Sequence, residues 1–215
     1  EDGVLRSVGL GAGLIDPISW VVDRTGMYYD ATAPSDLETL LAQSHCSEAQ
    51  LQRAAALRQR LVSEALTKYN LCGPSWQRPA SAGRVVLVVG QVETDASIRF
   101  GAPGLKSNMA LLKAVRRAEP DAFLVYKPHP DVVAGLCRSG VGEQQADVFC
   151  DQVITEGSIS ALFAQVDALH VLTSLAGFEA LLRRVEVHCW GLPFYAGWGL
   201  TLSLIHISEP TRLSW

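Results

Sequence analysis

The chain has 215 residues, of which 48% are hydrophobic and 19% carry a charge. A chain of this length and apolar content can bury a sizeable core, so disorder is excluded as an overall description. The formal net charge of −4 gives no general attraction to nucleic acid or to an anionic bilayer. No apolar run approaches the roughly 20 residues of a membrane span. We therefore expect a cytoplasmic protein with no nucleic-acid partner, in which any contact with lipid is local.

Five cysteines lie far apart in the chain and form no Cys-x-x-Cys pair. They are Cys46, Cys72, Cys137, Cys150 and Cys189. No histidine stands at the spacing of a zinc site, and an odd number of thiols cannot pair completely into disulfides. The sequence therefore predicts reduced thiols, as in the cytosol, and no metal site.

The first third of the chain predicts short strands and turns, followed by helices. Ile18–Val22 and Met27–Tyr29 predict a hairpin. A helix is expected over Asp36–Gln43, and the spacing of Ser47 and Gln50 is that of a capping box that starts a second helix. One stripe of this second helix carries the apolar residues Leu51, Ala54, Leu57, Leu61 and Ala65.

Residues 71–83 are rich in Gly, Pro and Ser and predict a linker. From Arg84 onward, short β-branched runs alternate with helical stretches, which is the pattern of βαβ units. The expected strands are Val85–Val89, Ala122–Tyr126, Gln152–Thr155, Ala168–Leu172 and Val185–Cys189. The expected helices are Ser107–Ala118, Ser158–Gln165 and Ser174–Leu182. The sequence thus predicts an α/β fold with a Rossmann-like doubly wound sheet over residues 84–201.

Three clusters of Gly, Pro, His, Asp and aromatic residues each follow an apolar run. They span residues 90–95, 127–130 and 191–201. Loops at the carboxyl ends of parallel strands bind the ligands of such sheets, so the clusters point to an enzyme. Asp95 can act as a base or a nucleophile, although the N-cap of a helix that begins near Ala96 fits its position as well. His129 is a candidate catalytic group, with a structural hydrogen-bonding role as the alternative.

Further candidates follow the later strands. Thr173 and Ser174 would open a helix, where hydroxyls and unpaired amides form an anion site, and an ordinary cap is the alternative. Gly177 would remove a side chain near a ligand. Glu179 is either a buried polar anchor or part of the ligand site. The aromatic residues of the last cluster would pack over a ligand or seal the bottom of the domain. They are Phe194, Tyr195 and Trp198.

Taken together, these segments resemble the capsular polysaccharide synthesis proteins of the KpsC and KpsS type, which transfer Kdo (3-deoxy-manno-octulosonic acid) from CMP-Kdo. The KpsC-like pattern is the closer one. The matching segments are Glu1–Gly11, Asp23–Asp30, Gly90–Ser97, Lys127–Asp131, Thr173–Leu182 and Gly191–Thr201. The resemblance implies the two-domain GT-B architecture. Residues 1–70 would be the end of a truncated acceptor-side domain, and residues 84–201 a nearly complete CMP-sugar donor domain.

The resemblance also implies catalytic roles. KpsC-like retaining transferases carry a Gln-x-Glu-x-Asp pattern, which Gln91, Glu93 and Asp95 match. Asp95 would be the nucleophile, and Glu93 or Gln91 would orient the substrate. His129 would stabilise the departing CMP, and Lys127 would add positive charge.

For the nucleotide, the resemblance implies that Thr173 and Ser174 bind the phosphate, as a Ser/Thr pair does in related transferases. Glu156 would hydrogen-bond the ribose hydroxyls, and Gly177 and Glu179 would belong to the same donor site. No cofactor is expected beyond the donor substrate CMP-Kdo.

Two arginines stand out against the family pattern. Arg6 could pair with the carboxylate of Kdo or with a lipid phosphate of the acceptor, and a surface salt bridge is the alternative. Arg184 occupies a position where the family has a small residue, so a different local turn is expected there.

The leading hypothesis is a retaining β-Kdo transferase that extends a poly-Kdo linker on (lyso)phosphatidylglycerol in capsular polysaccharide biosynthesis and export. Such an enzyme would be cytoplasmic and peripheral on the inner membrane, with the Kdo-lipid acceptor and the capsule export machinery as partners. The alternatives are another nucleotide-sugar enzyme of similar fold, such as an epimerase, and an inactive degenerate binding module. CMP-specific binding would separate the transferase from the epimerase.

The two ends of the sequence carry expectations of their own. The chain starts inside a motif that the family carries in mid-protein, so we expect a fragment. Residues 202–215 resemble translated sequencing-adapter DNA, and they are left out of the predicted fold as non-native.

Overall fold

The computed structural model describes residues 3–10, 15–43 and 45–204. Its α-helices are α1 (Asp36–Gln43), α2 (Glu48–Ser63), α3 (Ala96–Gly101), α4 (Asn108–Ala118), α5 (Pro130–Val133), α6 (Ile159–Phe163) and α7 (Ala176–Leu182), and a 3₁₀ helix spans Glu143–Val148. Its strands are β1 (Val85–Val89), β2 (Phe123–Lys127), β3 (Gln152–Val153), β4 (Ala168–Val171), β5 (Glu186–Cys189) and β6 (Leu202–Ser203). Predicted features at Glu1 and Asp2 lie outside the described residues.

The described strands form one sheet in the order β3-β2-β1-β4-β5-β6, and every neighbouring pair is parallel. The chain runs outward from β1 to β3, returns to the other side of β1 for β4, and continues outward to β6. This order is that of a doubly wound sheet, with its switch point between β1 and β4. The predicted α/β class with a parallel sheet is confirmed.

Helices cover both faces of β1, and this explains why its sequence is an unbroken run of Val and Leu. Val85, Leu87 and Val89 face one core cluster, which includes side chains of α6 and α7. Val86 and Val88 face a second cluster, formed mainly with α4. The sheet is therefore the middle of three layers, and its strand ends remain open to ligands.

The segment predicted as a linker, residues 71–83, contains no helix or strand but packs against the sheet domain. Trp76 packs on the core and donates its indole N–H to Gln152 Oε1 at 2.9 Å. The Arg78 guanidinium donates to both carboxylate oxygens of Asp167, at 3.0 and 2.8 Å. These contacts fix the path by which the first part of the chain reaches the sheet.

The hairpin predicted over Ile18–Val22 and Met27–Tyr29 is wrong. The Ile18 N–H donates to the Arg6 carbonyl at 2.7 Å, and the Gly3 N–H donates to the Ser19 carbonyl at 2.7 Å. This stretch therefore lies along the opening residues of the chain and not along the residues that follow it.

The turn after this stretch is centred on the Asp23 carboxylate. It accepts the N–H groups of Thr25, Gly26 and Asp36, at 2.9, 2.9 and 2.8 Å. Because the Asp36 N–H is one of these donors, the turn is tied to the start of α1. Of the described residues before 71, only Trp20 has strand-type bridge pairing, so this part contains no second sheet.

The predicted capping box of α2 is confirmed. Ser47 Oγ accepts the Gln50 N–H at 3.4 Å, and Gln50 Oε1 accepts the Ser47 N–H at 2.8 Å. The helix ends before Ala65, whose φ of 53° is left-handed. The apolar stripe stays outside the core, since Leu51 and Leu57 are 52% and 51% exposed.

Among the described residues, no helix has the length and apolarity to cross a bilayer.

The sheet continues past residue 201, where the sequence predicted the end of the native fold. Leu202 and Ser203 pair in parallel with His188 and Cys189. This pairing uses backbone groups, which impose little demand on the side-chain pattern. The prediction that excluded these two residues from the fold is therefore wrong, and residues 205–215 lie outside the described part of the chain.

Arg184 adopts a φ of 63° directly after α7, in the conformation that usually selects glycine at a helix end. Its N–H donates to the Leu181 carbonyl at 3.0 Å, and the Val185 N–H donates to the Ala180 carbonyl at 3.1 Å. This conformation explains why a small residue is expected at this position, because a left-handed φ favours glycine. The turn closes the helix even with arginine in place.

Truncating β1 should destabilise the domain far more than truncating α2. Leu87 is fully buried, so Leu87→Ala should lower the free energy of unfolding by about 2–5 kcal/mol. The matched control is Leu51→Ala on α2, expected to change it by no more than about 0.5 kcal/mol. Urea unfolding followed by circular dichroism measures both values, and equal losses would contradict the assigned core.

Candidate active site

A cavity of about 360 Å³ opens at the carboxyl ends of β1, β2 and β4, at the switch point of the sheet. Its volume is in the range of small-molecule sites. Its sheet-side wall includes Asp95, Lys127, His129, Thr173 and Ser174. A second part of the wall comes from the first part of the chain and includes Arg6, Tyr28, Tyr29, Lys68 and Tyr69. A ligand in the cavity would contact both parts of the chain.

Gln91 joins the ends of β1 and β4 across the switch point. Its Oε1 accepts the Thr173 N–H at 2.9 Å, and its Nε2 donates to Thr173 Oγ1 at 3.1 Å. Asn108 holds the Gln91 backbone by accepting its N–H and donating to its carbonyl, both at 2.9 Å. Gln91 lines the cavity, and its side-chain amide holds the two strand ends at the cavity wall together through its bonds to Thr173.

Glu93 is not among the described residues that line the cavity. Its Oε1 accepts the N–H of Asn108, the first residue of α4, at 2.7 Å. Its carboxylate also lies against Gly140. The structure therefore places Glu93 behind the cavity wall, where it fixes α4 to the loop that carries Asp95.

Asp95 both caps a helix and borders the cavity, so the structure is compatible with either of the roles that the sequence left open. It is the N-cap of α3, and its Oδ1 accepts the Ser97 N–H at 2.8 Å. The same exposed carboxylate lines the cavity. Among the described residues, Oδ2 has no hydrogen-bond partner, so one oxygen orients the group while the other remains available.

His129 caps α5 with its ring, since Nδ1 accepts the Asp131 N–H at 3.2 Å. Because Nδ1 is an acceptor, the neutral imidazole carries its proton on Nε2. Burial lowers the pKa of His129, and the nearby Asp131 carboxylate opposes this shift. The geometry thus favours a neutral ring that donates one hydrogen bond from Nε2.

Lys127 ends β2 with a buried ammonium that lines the cavity. Its Nζ donates to the carbonyl of Glu156 at 3.1 Å, and burial lowers its pKa. Lysine has three N–H donors, and the described residues provide a partner for only one of them. Glu156 is exposed and is not among the described residues that line the cavity, so its contribution to the site is the carbonyl that accepts from Lys127.

The segment after β4 becomes helical at Ala176, two residues later than predicted. Ser174 Oγ accepts the Ala176 N–H at 3.2 Å, while the Thr173 hydroxyl donates to Ser97 Oγ at 3.2 Å. The Ser174 carbonyl accepts the Tyr195 hydroxyl. The structure thus brings Thr173 and Ser174 to the cavity wall, both already engaged in local bonds.

Gly177 is required for packing against Tyr195. A Cβ added at Gly177 would overlap the Tyr195 hydroxyl, and Tyr195 is itself buried. The suggestion that Gly177 leaves room for a ligand therefore needs correction, because a protein side chain already fills that space.

Glu179 on α7 is 5% exposed and lines the cavity. Its Oε1 accepts the Lys68 backbone N–H at 2.6 Å. Burial raises the pKa of Glu179 to about 7, although the hydrogen bond from Lys68 and the charge of Arg183 oppose the shift. From the same helix, Arg183 donates to the Leu66 carbonyl at 2.7 Å. Glu179 is thus a buried anchor that also borders the cavity.

The aromatic residues of the last cluster separate into two groups. Phe194 and Tyr195 line the cavity, and Phe194 packs edge to face with Tyr28 at 5.6 Å between ring centres. Trp198 lies apart from the cavity lining and donates its indole N–H to the Phe194 carbonyl at 2.8 Å. Phe194 and Tyr195 therefore belong to the cavity wall, whereas Trp198 stabilises the loop behind it.

Sequence reasoning missed the contribution of Lys68 and Tyr69, and it left the role of Tyr28 and Tyr29 unassigned. The Tyr28-Tyr29 pair lies in one of the matched segments, which was the available signal. Lys68 and Tyr69 follow an exposed helix, and their composition alone is ordinary for a surface. Arg6 is 6% exposed and lines the cavity, which disagrees with a surface salt bridge.

One group of side chains outside the cavity has the residue types of a metal site. Ligand atoms of Glu119, His170 and His188 lie within 4.8 Å of one another. Trp190, however, donates its indole N–H to His170 Nδ1 at 3.1 Å, which leaves the proton of the neutral ring on Nε2. That nitrogen faces Glu119 Oε1 at 3.9 Å and offers a proton in place of a lone pair. The tautomer that this hydrogen bond implies therefore does not suit His170 as a ligand.

The doubly wound parallel sheet and the cavity at its switch point place the chain in the α/β class, whose members typically bind small molecules at the carboxyl ends of the strands. The sequence matches the family model described as capsule polysaccharide biosynthesis protein over residues 1–72 and 75–209. The chain belongs to this family.

The chain is also similar in sequence to two curated proteins. The chain is 43% identical over 212 residues to the capsule polysaccharide modification protein LipA of Neisseria meningitidis serogroup B, covering 99% of this chain and 30% of LipA. It is 40% identical over 205 residues to the lipopolysaccharide-processing protein LpsZ of Rhizobium meliloti, covering 94% of this chain and 47% of LpsZ. The chain thus spans less than half the length of either relative.

Two solved structures share the fold. The β-Kdo 2,7 transferase of Thermosulfurimonas dismutans KpsC is 40% identical, with a TM-score of 0.75 over 90% of this chain and 59% of that one. The β-Kdo 2,4 transferase of the same KpsC is 33% identical, with a TM-score of 0.79 over 94% of this chain and 64% of that one.

Replacing Glu179 by Gln should remove a pH-dependent loss of stability. The folded carboxyl has a pKa of about 7 against an ordinary value of 4.5, so the folded state binds more protons between these values. The contribution is therefore fully present below pH 4.5 and is lost as the pH rises through 7. Relative to Glu179→Gln, the parent should lose about 2–3 kcal/mol between pH 5 and pH 8.

Urea unfolding of the parent and of Glu179→Gln at both pH values measures this difference. Gln keeps an oxygen that can accept the Lys68 N–H, so the variant isolates the effect of charge. Parallel pH profiles for the two proteins would contradict the assigned burial.

Adding a methyl group at Gly177 should destabilise the domain. Gly177→Ala would displace the buried Tyr195, at an expected cost of about 1–3 kcal/mol. Gly104→Ala is the matched control, because a Cβ there meets no atom within 4 Å. Thermal unfolding compares the two variants, and a Gly177→Ala protein as stable as the control would contradict the packing role.

Proposed function

We propose that this chain carries the donor-binding part of a retaining β-Kdo transferase that takes Kdo from CMP-Kdo. The family assignment and the two β-Kdo transferases among its solved neighbours support the proposal. The observation that carries it is a single cavity shared by Asp95, His129, Lys127, Thr173 and Ser174. These are groups suited to a nucleophile, to a leaving phosphate and to the binding of an anion.

The donor contains a phosphodiester, and the cavity offers positive charge and hydrogen-bond donors for it. Lys127 has N–H groups to spare on a buried ammonium, where electrostatic attraction is stronger than in water. The neutral ring of His129 donates from Nε2. The Ser174 hydroxyl accepts the Ala176 N–H and keeps its own proton for a ligand.

In the first chemical step, the Asp95 carboxylate attacks the anomeric carbon of Kdo. The bond from that carbon to the phosphate oxygen of CMP breaks, and its electron pair leaves with CMP. Lys127 and the Nε2–H of His129 stabilise the added negative charge on the phosphate. The product of this step is a covalent adduct between Kdo and Asp95.

In the second step, a hydroxyl of the acceptor attacks the same carbon. The bond to Asp95 breaks, the carboxylate recovers its electron pair, and the hydroxyl proton leaves to solvent. Two displacements at one carbon restore its configuration, which gives a β linkage. The hydrogen bond from the Ser97 N–H to Oδ1 keeps Asp95 oriented in both steps.

In this proposal the sheet domain is one half of a two-domain GT-B transferase, and the acceptor approaches from the wall that carries Arg6 and Lys68. The acceptor is a poly-Kdo linker on (lyso)phosphatidylglycerol, and the product serves capsular polysaccharide export. An enzyme acting on such a lipid would work in the cytoplasm at the inner membrane, together with the export machinery.

Asp95→Asn should abolish transfer while leaving the fold intact. Asparagine is as good an N-cap as aspartate, so the start of α3 is preserved, but its amide is not a competent nucleophile. Transfer from CMP-Kdo to a synthetic Kdo-lipid by the protein at its full natural length should fall more than about 100-fold. Asp121→Asn, at an exposed turn residue, is the control expected to retain activity.

Mass spectrometry of the parent with CMP-Kdo provides a second readout. A Kdo adduct should form on the peptide that contains Asp95, and it should be missing from Asp95→Asn. Full activity of Asp95→Asn would exclude this residue as the nucleophile. A folded parent that binds CMP but transfers no Kdo would exclude CMP-Kdo as the donor.

A further inference from the structure

Residues 66–70, here called the strap, run from the end of α2 along the cavity. Backbone groups hold the strap on both sides. The Lys68 N–H donates to Glu179 Oε1 on α7 at 2.6 Å. The Lys68 carbonyl accepts the N–H groups of Arg6 and Ser7, at 3.0 and 3.1 Å. The position of Lys68 is therefore fixed by its backbone alone.

The side chain of Lys68 takes no part in these bonds. Its ammonium lies 5.2 Å from the centre of the Tyr69 ring, which in turn stands edge to face with the His129 imidazole at 6.0 Å. Burial is the main cause of the lowered pKa of His129, and the charge of Lys68 adds to it. Within the described residues, Lys68 forms no ion pair with a carboxylate.

The cavity lining therefore includes two lysines that come from different parts of the chain. Lys127 comes from the end of β2, and Lys68 comes from the strap. The third cation of the lining, Arg6, already donates to Ser7 Oγ at 3.3 Å and to the Ile15 carbonyl at 3.0 Å. The two lysines are thus suited to a ligand that carries two separate anionic groups.

We infer that Lys68 binds the carboxylate of the donor's sugar acid while Lys127 binds its phosphate. This inference rests on the proposed function and adds to it the residue that recognises the sugar acid. A sugar acid joined to CMP carries both anionic groups, whereas CMP alone carries only the phosphate. Lys68 would then select sugar acids over neutral sugars, because a neutral sugar leaves the ammonium without a partner.

Glu179 is compatible with this role although it lies near Lys68. Its carboxyl is used by the backbone N–H of Lys68, and burial raises its pKa to about 7. Near neutral pH it is partly protonated, so it cancels only part of the ammonium charge. The remaining positive charge is available to a ligand.

The test compares the KM for CMP-Kdo with the inhibition constant of CMP, on the protein at its full natural length. Lys68→Met should raise the KM about tenfold or more and change the inhibition constant of CMP by less than about twofold. Lys127→Met should raise both constants. The strap is held through backbone groups, so neither its path nor the fold depends on the side chain replaced in Lys68→Met.

Lys113→Met is the matched control. Its ammonium lies 4.9 Å from the centre of the Phe149 ring, a contact of the same kind as that of Lys68, but it is not among the residues lining the cavity. This variant should leave both constants unchanged. Lys68→Arg keeps the charge and should recover most of the affinity for CMP-Kdo.

Two results would overturn the role of Lys68. One is an equal rise of both constants in Lys68→Met, which would assign Lys68 to the phosphate. The other is an unchanged KM. A parent protein that neither binds CMP nor transfers Kdo would instead overturn the proposed function itself, and the role of Lys68 with it.

Discussion

The paired hydrogen bonds between Gln91 and Thr173 are the constraint on which the site depends. They join the ends of β1 and β4 at the point where the connections of the sheet leave in opposite directions. The loop that carries Asp95 starts from one side of this joint, and the segment of Ser174 starts from the other. Removing either partner would leave buried polar groups without hydrogen bonds, which is costly. The distance between the two loops at the cavity wall is therefore fixed.

The sheet could be predicted because its sequence signal is local. A short, β-branched apolar run such as Val85–Val89 is typical of a strand covered on both faces, and its alternation with helices implies parallel order. The failed hairpin had no such signal. The partner of Ile18 is Arg6, and the path of the chain depends on side-chain bonds to Asp23, which periodicity does not encode. Leu202 and Ser203 were missed because edge pairing needs only backbone groups.

The candidate site was predictable where its residues follow from the order of the strands. Asp95 and His129 follow strands, and Lys127 ends one. The carboxyl ends of neighbouring parallel strands lie at one edge of the sheet, so the presence of these residues at one cavity follows from topology. Neighbours in sequence were harder to separate, since Glu93 lies behind the wall while Asp95 lines it. Lys68 could not be found from sequence, because a contact with Glu179, 111 residues away, brings it to the cavity.

The buried ammonium of Lys127 links the occupancy of the cavity to the stability of the fold. Its only described hydrogen-bond partner is the carbonyl of Glu156, so an empty cavity leaves a poorly compensated charge in a desolvated place. Under the proposed function, the phosphate of the donor would supply further bonds to this ammonium in the folded chain and would find no such site in the unfolded one. The concentration of the donor would then act on the folding equilibrium itself, and the domain would resist unfolding most when the donor is abundant.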